Sequence, residues 1–76
     1  MSIGRVMWAS GPVLRARVSG PFQMREAVYV GAQSLLGEVV SIDGEEIVAQ
    51  VYEDATGLRL GEEVRGSGSP LGIRVG

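Results

Sequence analysis

Apolar and polar positions alternate with a period of two along most of this chain, in short runs that end at glycine, proline, serine or aspartate. Residues 3–9 read as a strand, with Val6 and Trp8 on one side, Arg5 and Met7 on the other, and a break at Ser10-Gly11-Pro12. Residues 13–18 alternate cleanly, with Leu14, Ala16 and Val18 opposed to Val13, Arg15 and Arg17, and stop at Ser19-Gly20-Pro21. Residues 22–26 have no clear period and lead into a short strand at 27–30, closed by Gly31. A hairpin follows over 34–54. Residues 54–57 then read as a tight or helical turn, after which Leu58 and Leu60 tuck an irregular segment back onto the barrel end. A short strand is expected at 63–66, a turn at 67–70 and a final strand at 71–75, where Leu71, Ile73 and Val75 alternate with Gly72 and Arg74. About six short strands, with turns about ten residues apart and no sustained helical period, make the pattern of an all-β barrel.

The hairpin carries the most detail. Asp43-Gly44 lies between two β-branched runs, and such a pair suits a two-residue type I′ turn. That turn sets Ile42 opposite Glu45, Val40 opposite Ile47, Glu38 opposite Ala49 and Leu36 opposite Val51. Leu36, Val40, Ile42, Ile47 and Val51 then form the core face. Val39, Val48 and Tyr52 form a second apolar face, which is either a set of surface hydrophobes, or covered by another strand of the barrel, or covered by a partner. The same register drops Glu38 onto the core face, where an unpaired carboxylate is costly. Glu38 therefore needs either an arginine partner or a bulge that turns it outward.

Composition narrows what this barrel can do. The 76 residues suit one domain, 1–76, and 12 glycines fit a β-rich chain with many corners. A formal charge of −2 argues against a nucleic-acid footprint, which needs a basic surface. All seven basic residues are arginine, and lysine, cysteine and histidine are absent. This removes disulfides, thiolate and imidazole metal sites, thiol nucleophiles and imidazole acid–base catalysis. Gly20-Pro21-Phe22 has the look of an opening phosphate-binding loop, yet such a loop needs a lysine. A nucleotide site of that kind is excluded. The carboxylate pairs Glu45-Glu46, Glu53-Asp54 and Glu62-Glu63 are adjacent, and neighbours on a strand point to opposite faces, so they do not converge on a substrate or metal. Trp8, Phe22, Tyr29 and Tyr52 fit core or interface packing better than base stacking on a chain of this charge. No catalytic, cofactor-binding or metal-ligating residue is identified. Residues 1–12 lack the apolar run of a signal peptide, and nothing is long enough to span a membrane.

Three stretches carry a family resemblance: GRVMWASGPV at 4–13, SLLGEVVSIDGEEIVAQVYEDATGLRLGEEV at 34–64 and GSGSPLGIRVG at 66–76. Together they resemble the N-terminal β-barrel domain of the catalytic A subunit of V-type and archaeal-type rotary ATPases. QVYEDATGL is the most specific part. The resemblance implies a small closed six-stranded antiparallel β-barrel with Greek-key-like connections, part of a longer chain. It also implies a non-catalytic assembly module that sits beside neighbouring ATPase subunits in a hexameric ring. By the same resemblance the setting is cytoplasmic, peripheral to the membrane through the parent complex, without direct membrane contact. ATP and magnesium would belong to another domain of the parent enzyme, with no cofactor in this one.

The candidate contact residues are Arg15, Arg17, Val39, Val48, Tyr52 and Glu53. Arg15 and Arg17 project together from one strand, available to acidic residues of a neighbour or of the chain itself. Two other readings stay open on the sequence alone. One is a nucleic-acid-binding barrel of the translation-factor or oligonucleotide-binding type; the other is an isolated fragment that self-associates through an exposed side or free edge.

Overall fold

A computed structural model describes residues 2–70, which form six antiparallel strands. They are β1 (Ile3–Ser10), β2 (Val13–Ser19), β3 (Glu26–Val30), β4 (Leu35–Asp43), β5 (Glu46–Val51) and β6 (Glu63–Pro70). Their order β1-β2-β5-β4-β3-β6 closes into a barrel. Three consecutive strands, β3 to β5, meander, and β2 and β6 return to flank them, which is the Greek-key connection expected. The expected final strand at 71–75 lies outside the described residues.

Alternation along the strands builds the interior. Leu14 and Ala16 of β2, Val28 and Val30 of β3, Ile47, Ala49 and Val51 of β5 and Val64 of β6 are buried together. Val18, Phe22, Leu35, Ala55 and Leu58 pack against that cluster. Barrel walls this close leave no room for a side chain at some positions. A Cβ on Gly37 would lie 2.8 Å from the Gln50 carbonyl oxygen of the neighbouring strand, so only glycine lets β4 and β5 approach there.

The hairpin departs from its expected register. Asp43 pairs with Glu46, so the two-residue loop is Gly44-Glu45, with positive φ at Gly44 alone (61°), the type II′ arrangement. Ile42 faces Ile47 and Ser41 faces Val48; beyond a bulge at Val40, Val39 faces Ala49 and Glu38 faces Gln50. The extra residue reverses which side of β4 points inward. Val39 is therefore fully buried (0% exposed) and Val40 is on the surface (37%), the opposite of the pattern-based assignment. Ile42 recovers the inward side but lies at the exposed hairpin end, and Leu36 points outward, half-buried. Ile47 and Val51 are in the core as expected.

A second bulge, between Val6 and Trp8, does the same to β1. Val6 is buried against Ala16, while Trp8 pairs with Arg15 on the outside instead of sharing the side of Val6. β6 also differs. Residues 67–70, expected to turn, continue the strand, because the Glu26 carboxylate accepts the Gly68 N–H at 2.9 Å and holds the glycine-serine run against β3. The other oxygen of Glu26 accepts the Gln23 N–H at 2.9 Å, so this 2%-exposed carboxylate clamps the loop before β3 to β6. Leu58 packs on the barrel end as expected; Leu60 points into solvent.

The reversed parity of β4 gives a direct test. Val39→Ala empties a fully packed site and should cost roughly 2 kcal/mol, whereas Val40→Ala should cost less than about 1 kcal/mol. Urea unfolding of the two variants checks the order, and the reverse ranking contradicts the bulge.

Candidate interface surfaces

Directly opposed residues of neighbouring strands share a face, so the registers map the barrel exterior in rows. One row joins Trp8 of β1, Arg15 of β2, Val48 of β5 and Ser41 of β4. The Arg15 guanidinium lies 5.8 Å from the centre of the Trp8 ring, a cation–π contact worth about 0.5–1 kcal/mol at an exposed site. The next row joins Arg5, Arg17 and Glu46, and Arg17 meets Glu46 at 3.7 Å. That pair is largely solvated and contributes about 0–1 kcal/mol to stability. Arg15, Arg17 and Val48 thus come together on the outside of β2 and β5. Trp8, 48% exposed, joins them; its place there depends on the bulge at Met7, which the period of two conceals.

A second surface lies across β3 and β4. Tyr52 extends the pairing of β5 by donating its N–H to the Leu36 carbonyl at 2.8 Å, and Leu36 faces Tyr29 of β3. Tyr29 faces Arg65 of β6, whose guanidinium is held by Glu63 at 3.2 Å and by the Ser34 hydroxyl at 2.7 Å. The Glu53 carboxylate accepts the Leu36 N–H at 2.5 Å, so Glu53 fastens the start of β4. Tyr52 and Glu53 are on the exterior as expected. Val39 is not: it is sealed in the core, and the second apolar face of the hairpin holds Val48 and Tyr52 without it.

Glu38 lies beneath this surface. The bulge turns it outward, and an arginine also covers it, so both expected remedies operate together. Arg25 approaches Glu38 Oε2 at 3.8 Å, and the Tyr52 hydroxyl donates to Glu38 Oε1 at 2.6 Å. The carboxylate is left 8% exposed although it faces away from the core. Arg25 adopts a left-handed backbone (φ 69°), which costs a non-glycine residue roughly 1–3 kcal/mol and persists where its surroundings fix it. Here its N–H bonds the Val39 carbonyl at 2.9 Å. The bond to Glu38 pushes the Tyr52 phenol above its ordinary value, because ionisation would remove the donated proton and set two negative charges together.

At the barrel end, the Glu62 carboxylate accepts the Arg59 N–H at 2.6 Å and the Ala32 N–H at 3.3 Å. Those amides, Arg59 first, hold Glu62 below the usual carboxylate range. Among the described residues no group of three or more acidic side chains is arranged to hold a metal ion. No helix among them is long and apolar enough to cross a membrane.

Residues 6–68 match the family model for the ATP synthase alpha/beta family, beta-barrel domain. The A subunit of the A-type ATP synthase of Pyrobaculum calidifontis is 47% identical over 73 residues, covering 96% of this chain and 12% of that protein. An A subunit of the A-type ATP synthase of Methanospirillum hungatei is 42% identical over 76 residues, covering 100% of this chain and 13% of its own length. The V-type ATP synthase alpha chain 2 of Clostridium tetani is 36% identical over 74 residues, again 97% of this chain and 12% of the relative. The chain therefore spans about an eighth of the relatives it matches.

The Tyr52–Glu38 bond has a pH signature. A folded-state phenol value above the unfolded one means that this contribution is fully present below the ordinary value of 10.0 and is lost as pH rises through the folded value. Ultraviolet titration should find Tyr52 ionising late, and Glu38→Gln should bring it back toward 10.0. A Tyr52 titration that Glu38→Gln leaves unmoved contradicts the bond.

Proposed function

Because this chain belongs to the ATP synthase alpha/beta family as its β-barrel domain, we propose that it is a non-catalytic assembly module of a rotary ATPase catalytic subunit. It makes lateral contacts in the N-terminal crown of the hexamer, in the cytoplasm and peripheral to the membrane through the parent complex. ATP and magnesium are handled by another domain of the parent. The observation that carries this reading is the placing of the two exterior surfaces. The centres of the two surfaces, Trp8–Arg15 on β1 and β2 and Tyr29–Leu36 on β3 and β4, lie on strand pairs that β5 and β6 separate in the closed order, with the outer side of β5 running between them from Val48 to Tyr52. A member of a ring meets two neighbours through two different patches on opposite walls, the heterologous arrangement. Both patches carry exposed aromatic side chains with arginines beside them, the residue types that dominate binding energy at protein interfaces.

Arg15, Arg17 and Val48 belong to the first wall, Tyr52 and Glu53 to the second. The isolated chain should show no heat of binding when titrated with ATP, and calorimetry that detects micromolar affinity refutes the non-catalytic assignment. In the full-length protein, replacing Arg15 and Arg17 together by glutamate should lower the yield of assembled hexamer by about tenfold, since reversing charge across an interface costs several kcal/mol. Native mass spectrometry measures that yield. Unchanged assembly removes this wall from the contact.

A further inference from the structure

Leu60 is 69% exposed, more than any other large apolar residue described, and it is held out on a firmly built turn. The Glu62 carboxylate accepts the Arg59 N–H at 2.6 Å, the Glu62 N–H bonds the Arg59 carbonyl at 3.3 Å, and the Gly61 N–H bonds the Val6 carbonyl of β1 at 2.7 Å. Gly61 has φ 87°, a conformation that suits glycine. A turn fastened at three points does not collapse its apolar tip onto the barrel, so the display of Leu60 is a fixed feature of the fold.

Arginines surround this tip. A shallow basin between the turn and β1 is lined by Arg5, Arg59 and Arg65 together with Glu62 and Glu63. Both carboxylates are engaged: Glu62 by two backbone amides and Glu63 by Arg65 at 3.2 Å. Arg65 is committed in turn to Glu63, Ser34 and the Gly31 carbonyl. Arg5 reaches the Gly61 carbonyl at 3.3 Å through one nitrogen, which steers its guanidinium toward the basin while leaving other donors open. The Arg59 side chain has no hydrogen-bond or ion-pair partner among the described residues. A chain of net charge −2 thus brings the Arg5 and Arg59 guanidinium groups, neither within ion-pair distance of a carboxylate among the described residues, into one basin with a protruding leucine, although Arg59 is drawn electrostatically toward Glu62.

We propose that this basin docks an acidic peptide segment of a partner protein, with carboxylates on Arg5 and Arg59 and an apolar side chain against Leu60. The chemistry selects a peptide over a small anion. Phosphate has nothing to place on Leu60, and the engaged carboxylates of Glu62 and Glu63 repel a compact multivalent charge, whereas a peptide spaces single charges around them. Arg59 and Leu60 lie on the turn, outside both walls proposed above, whereas Arg5 sits beside Arg17 at the margin of the first; Arg59→Gln and Leu60→Ser therefore report on the docking separately from the lateral contacts.

The test uses a blocked heptapeptide of glutamate and aspartate with a central leucine, titrated into the isotopically labelled 76-residue chain at low salt and followed by amide NMR. Shifts should concentrate at residues 59–62 and at Arg5, and weaken as salt rises. Arg5→Gln with Arg59→Gln should weaken binding about tenfold, two exposed charge contacts together, and Leu60→Ser should weaken it several-fold. Arg59→Gln alone leaves the Arg5–Gly61 bond intact and guards against a folding artefact, which the dispersion of the spectrum reveals. Absence of shifts at millimolar peptide, equal shifts with the glutamine–asparagine counterpart or with inorganic phosphate, or affinity indifferent to both arginine changes each overturns the proposal.

Discussion

The bulge at Val40 is the constraint on which the rest of this barrel depends. In a closed wall every residue points either inward or outward, and the buried Ile47, Ala49 and Val51 of β5 decide which positions of β4 face the core. A regular pairing carried from the hairpin turn would send Glu38 into that core, with a desolvation cost of several kcal/mol. The single extra residue sends Val39 inward and Glu38 outward. It also bends β4, as a short-stranded barrel requires at its corners. One inserted residue thus solves a packing problem and an electrostatic problem together.

With Glu38 outside, carboxylates become fasteners. Glu26, Glu53 and Glu62 each accept backbone N–H groups, and Glu38 takes the Tyr52 hydroxyl and the Arg25 guanidinium. A carboxylate that accepts two hydrogen bonds replaces much of its lost hydration, and it also pairs amides at strand ends that the ladders leave open. The same engagement explains why the exposed arginines stand out: Arg5, Arg15 and Arg59 are the cations whose guanidinium groups meet no carboxylate among the described residues.

Much of this fold is legible in the sequence because alternation and turn residues are local signals. The clean period of β2 places Leu14 and Ala16 inside and Arg15 and Arg17 outside, and the glycine-proline breaks mark the strand ends. Bulges are not local in that sense. Nothing in VMWA or EVVS distinguishes a regular strand from one with an inserted residue, and the choice is made by the partner strand and by closure of the barrel. The pattern assigns Trp8, Val39 and Val40 to the wrong faces for that reason. Residues 67–70 escape it because glycine and serine signal a turn, while a distant carboxylate, Glu26, holds them extended. Leu60 escapes it because leucine usually packs; its display is set by Glu62 and by Val6, and the contact with Val6 is invisible to any local pattern.

Preformed contacts link these features to the proposed binding role. A partner recognises a surface readily only when the surface is already formed, since each side chain ordered on contact costs about 0.5–1.5 kcal/mol. In this barrel several exterior side chains are held by named contacts: Trp8 by a bulge and its stack on Arg15, Tyr52 by its bond to a shielded carboxylate, and the backbone under Leu60 by the hydrogen bonds of its turn. Each of those devices lies on a different part of the closed wall or its end. A domain so built presents several preformed contacts on different parts of one closed wall, the arrangement that the proposed role of holding subunits in register calls for.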